Sequence, residues 1–82
     1  MKLKYVMGSD DNFIIFPQTI NHNDIARLTK NTIGNPKSAG FLHFESDEAD
    51  TEVRAICYGK STSLNLKADT EDSEIINHAL KN

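Results

Sequence analysis

Three runs of alternating side chains, set within residues 38–67 (SAGFLHFESDEADTEVRAICYGKSTSLNLK), constrain this chain more than any other feature. Successive residues of a strand point to opposite faces, so a period of two marks a half-buried strand. In residues 39–45, Leu42 and Phe44 share one face while Phe41, His43 and Glu45 share the other. In residues 53–59, Val53, Ala55 and Cys57 fall together; Arg54, Ile56 and Tyr58 fall opposite, with Lys60 following in phase. Leu64 and Leu66 alternate with Ser63, Asn65 and Lys67 as a further strand. An acidic turn at 46–52 and a polar turn at Ser61-Thr62 separate the runs.

The flanking segments complete the order. Residues 2–16 read as a hairpin: Leu3, Tyr5 and Met7 alternate with Lys2, Lys4 and Val6, and the run Phe13-Ile14-Ile15-Phe16 ends at Pro17. Between them lies a turn over residues 8–12, where Gly8 and Asn12 tolerate positive φ. Residues 19–31 carry a helical stripe of Ile25, Ala26, Leu28 and Thr29, with Asn21 as N-cap and His22 exposed beside it. A last helix starts near Asp69 or Thr70 and buries Ile75, Ile76, Ala79 and Leu80; its acidic first turn suits the positive end of the helix dipole. The expected fold is a single α+β domain over residues 1–82, with element order β-β-α-β-β-β-α. It has a mostly antiparallel five-stranded sheet and two helices packed on one face.

At 82 residues the chain buries roughly 60–65% of its unfolded surface, so stability is modest and a partner subunit is a natural stabiliser. A single cysteine leaves no internal disulfide, and with no signal peptide or apolar span a cytoplasmic location is expected. The net charge of −3 lacks the basic excess of a nucleic-acid binder.

The motifs that resemble chemistry fail on inspection. Gly59-Lys60-Ser61-Thr62 ends like a phosphate-binding loop, but Arg54 stands where the pattern needs glycine, and a strand rather than a helix follows. Glu45, Asp47, Glu48, Asp50 and Glu52 cluster carboxylates, yet Ala49 and the missing glycine break the calcium-loop pattern. His22, His43 and His78 have no metal-ligand spacing, and no metal or cofactor is expected. Cys57 and His43 fall on opposite strand faces, which separates them as a catalytic pair. A double-stranded-RNA-binding domain would need a basic start to the last helix, where this chain has Asp69, Glu71 and Asp72.

The sequence therefore points to a non-enzymatic binding protein acting by protein–protein contact, expected to be a homo-oligomer. Its small size and missing catalytic signatures suit an accessory protein of a phage or mobile element. The contact face is expected at Phe41, His43, Arg54, Ile56 and Tyr58, with Lys60 and Ser61 beside it and the acidic turn of Asp47, Glu48 and Asp50 as a second element. The alternative is capture of a small anionic ligand, such as a nucleotide, by Arg54, Lys60, Ser61 and Arg27. Neither reading involves a membrane or nucleic acid.

Overall fold

The computed structural model describes residues 2–46 and 53–81. The strands are β1 (Leu3–Met7), β2 (Phe13–Pro17), β3 (Ser38–Ser46), β4 (Val53–Tyr58), β5 (Lys60–Ser61) and β6 (Leu66–Lys67). The helices are α1 (His22–Leu28), α2 (Lys30–Ile33) and α3 (Asp72–Leu80). Strands β1 to β4 form an antiparallel sheet in the order β2-β1-β3-β4, and β5 and β6 form a separate ribbon. The class is α+β and antiparallel, as the alternation requires. The fifth strand is different: Leu64 lies in a turn, and Leu66 pairs with Ser61 outside the main sheet.

The hairpin turn solves its geometry in an unexpected way. Asp10 and Asp11 take the positive φ values, 55° and 60°, rather than Gly8 or Asn12. Gly8 is required for close approach instead: a Cβ there would lie 2.0 Å from the Ile33 carbonyl oxygen. Asn21 caps α1, its side chain accepting from the Asn23 N–H at 2.8 Å. The helical segment then breaks at Thr29 (φ −104°, ψ 7°), whose hydroxyl donates to the Ile25 carbonyl at 2.7 Å. Leu28 points to solvent.

The helices do not share one face. The pleat of β1 sends Val6 to one side and Tyr5 and Met7 to the other, and each side has its own core. Val6, Phe16 and Ala39 pack with Ile25 and Ala26 of α1 and Ile33 of α2. Tyr5, Met7, Leu42 and Ala55 pack with Ile76 of α3. Both faces of β1 are covered at its Val6–Met7 end, although Lys4 shares the Val6 face, and alternation alone does not distinguish this from a one-sided sheet.

Candidate functional site

The register of β3 against β4 pairs Phe41 with Tyr58, His43 with Ile56 and Glu45 with Arg54. The alternation puts these six side chains on one face, expected opposite the helices; that face instead carries α1 and α2. The helices cover that face over β1 and its neighbours, and the strip stays uncovered toward β4. Tyr58 is 38% exposed, Arg54 is exposed, and Phe41, His43 and Ile56 are half-buried.

A row of rings anchors the strip to the core. The His22 ring meets Phe16 and Phe41 edge-on, with centroids 5.5 and 5.7 Å away. Phe41 stacks on Tyr58 at 6.0 Å, and Tyr58 meets His43 at 5.5 Å. The Lys2 ammonium sits 4.2 Å from the Phe41 centroid, a cation–π contact. His22 is buried rather than exposed, and its Nε2–H donates to the Gly40 carbonyl at 2.8 Å. That carbonyl partner sets the tautomer. Burial pushes the His22 imidazole below its ordinary pKa, against the pull of the Gly40 carbonyl; the nearby Lys4 charge adds to the lowering. The signal was present in the sequence: His22, Ile25, Ala26 and Thr29 follow the i, i+3, i+4, i+7 spacing of one helix face.

Glu45 lies opposite Arg54, but its Oε1 accepts from His43 Nε2 at 3.1 Å instead of pairing with the guanidinium. Lys60 and Ser61 leave the strip altogether. Gly59 turns the chain at φ +77°, so β5 begins out of phase with β4. Ser61 is buried, and its Oγ accepts from the Leu64 N–H at 3.3 Å, which fixes the 62–65 turn. Both residues line a cleft of about 870 Å³ together with Lys37, Ser38, Lys67 and Thr70. Arg54 lines a different cleft, and Arg27 pairs with Asp24 at 3.4 Å on an exposed part of α1. The expected anion set is therefore not one group. Asp47, Glu48 and Asp50 lie outside the described residues.

The opposite face holds polar residues that no sequence motif marks. The Asp72 carboxylate, fully buried, accepts from the Tyr5 hydroxyl at 2.5 Å and from the Asp69 N–H at 2.9 Å. Burial, and then this bond, pushes ionisation of the Tyr5 hydroxyl far above its ordinary range. Burial also raises the Cys57 thiol, a direction opposite to that of an activated nucleophile. On the free edge of β4, the Asn77 side chain accepts from the Ala55 N–H at 2.7 Å and donates to the Ala55 carbonyl at 2.9 Å. Ser73 Oγ accepts from the Cys57 N–H at 2.9 Å. These side chains occupy the hydrogen-bonding groups that an added strand would use. Farther along, Phe44 and Val53, on the face expected to lie under the helices, are 40% and 61% exposed and line an open cleft with Leu80 and Lys81 at the end of α3. Ala79 and Leu80 are exposed as well.

Among the described residues no group of three or more His, Cys, Asp or Glu side chains is gathered to hold a metal, and no helix is long and apolar enough to cross a membrane. Neither protein families, nor curated proteins, nor solved structures show a match to this chain.

Proposed function

We propose that this chain is a non-enzymatic interaction protein that works by protein–protein contact through the Phe41–Tyr58 strip, and that the first partner is a second copy of itself. The observation that carries this reading is the uncovered row of rings on β3 and β4. Phe41, His43, Ile56 and Tyr58 supply aromatic and apolar area, with Glu45 and Arg54 at the end of the strip, the composition of an interface core with a polar rim. The strip is also self-complementary. Glu45 and Arg54 stand side by side, so a two-fold apposition sets the Glu45 carboxylate of one copy against the Arg54 guanidinium of the next. Pairing by strand addition at β4 is disfavoured, because Asn77 and Ser73 already occupy that edge. Contact through side chains of the face remains.

Light scattering at micromolar to millimolar concentration tests the proposal. Wild-type protein assembles, and Tyr58→Asp or Ile56→Asp returns it to monomer. A wild type that stays monomeric throughout overturns the self-contact.

A further inference from the structure

We propose that the cleft between the β5–β6 ribbon and the start of β3 binds the dianionic phosphate group of a small phosphorylated compound, a function separate from the strip on β3 and β4. Two independent observations point to it. The first is electrostatic. Lys60 and Lys67 are directly opposite in the ribbon register, so their side chains leave the same face. Like charges placed opposite are destabilising in a sheet, and among the described residues neither ammonium has an ion-pair partner. An anion between them removes the repulsion, and two unpaired cations suit two negative charges. The third lysine of the cleft, Lys37, is held by Asp11 at 3.0 Å and marks the rim.

The second observation is a hydroxyl that lacks a partner. Ser38 lines the cleft, is 2% exposed, and its Oγ has no hydrogen bond among the described residues. A buried polar atom left in that state is costly unless something fills its bonding capacity. A phosphate oxygen would accept from it. Thr70 is a further hydroxyl at the cleft wall, donated at present to Asp69 Oδ1 at 3.3 Å. The Asp69 carboxylate also borders the cleft; the same oxygen accepts from the Glu71 N–H at 3.3 Å and is committed to the turn before α3. Among the described residues the lining has no aromatic ring. The phosphate itself, rather than a stacked base, therefore carries recognition.

The test is titration of the full chain with inorganic phosphate, a sugar phosphate and a nucleoside monophosphate at constant ionic strength, followed by amide chemical shifts. Saturation is expected with a Kd of about 1 mM or tighter. The shifts should centre on Ser38, Lys60 and Lys67. Saturation by the sugar phosphate alone assigns the site to an esterified ligand; saturation by inorganic phosphate as well assigns it to the phosphoryl group. Lys67→Glu places an opposite charge across from Lys60, so its melting temperature stays at or above that of the wild type while phosphate affinity falls about tenfold or more. Ser38→Ala raises the melting temperature and weakens phosphate binding. The proposal is overturned if none of the three compounds saturates the protein, or if binding survives Lys67→Glu unchanged.

Discussion

Where α3 meets the sheet, polar side chains fasten it: Asp72 to Tyr5, Asn77 to Ala55 and Ser73 to Cys57. Where α1 meets the opposite face, rings do the work, with the His22 imidazole wedged between Phe16 and Phe41. The difference follows from what each helix covers. The α3 helix reaches the edge strand, where free backbone N–H and C=O groups need partners, so hydrogen-bonding side chains are useful there. The α1 and α2 helices stop short of that edge. The aromatic row continues past them to the surface and leaves Tyr58, Ile56 and His43 available for contact. One face of the edge region is thus closed to strand pairing while the other stays open to side-chain contact.

The contrast breaks most severely at Asp72. Asp72→Ala strands the Tyr5 hydroxyl and the Asp69 N–H, and removes the bond between β1 and the start of α3. We expect a loss of about 3 kcal/mol in denaturant unfolding, a large share of the stability of a domain this small. Asn77→Ala is the next largest. It frees both Ala55 groups at the sheet edge, with an expected cost of about 1.5 kcal/mol. It should also add concentration-dependent aggregation that the wild type does not show. A loss of stability without aggregation would show that the edge is protected by something other than Asn77.

The ring side has a pH signature of its own, centred on His22. His22 has a folded pKa below its unfolded value, so the unfolded chain binds more protons in the window between the two. Stability from the neutral ring is therefore full above about pH 6.5 and is lost as pH falls through the folded value. Thermal melts at falling pH should show this slope in the wild type and a flatter one in His22→Gln. Equal slopes would remove His22 as the source.

Much of this contrast was legible in the sequence, and the rest has identifiable physical reasons for being hidden. The strand faces of β3 and β4 could be read from alternation, but the register that sets Glu45 opposite Arg54 could not. The side taken by each helix was not legible, since Val6 looked polar-facing only because Lys2 and Lys4 share its parity. Continuing the period through Gly59 puts Lys60 in phase with Tyr58, and the positive φ at Gly59 resets that phase. Asp72, Ser73 and Asn77 read as an ordinary polar helix start and surface. Ser73 and Asn77 act on a strand edge 16 and 22 residues away in sequence, and Asp72 on Tyr5 of β1, 67 residues away, which no local pattern encodes.

The smallest effect on stability, and the largest on function, is expected at Tyr58. Its ring stacks on Phe41 yet stays 38% exposed, so Tyr58→Asp should cost about 1 kcal/mol or less in unfolding. Light scattering on wild type and Tyr58→Asp, across the same concentration range, is the decisive measurement of self-contact through the strip. Wild type should assemble, and Tyr58→Asp should convert it to a folded monomer. A wild type that is monomeric throughout, or an assembly untouched by Tyr58→Asp, would contradict it.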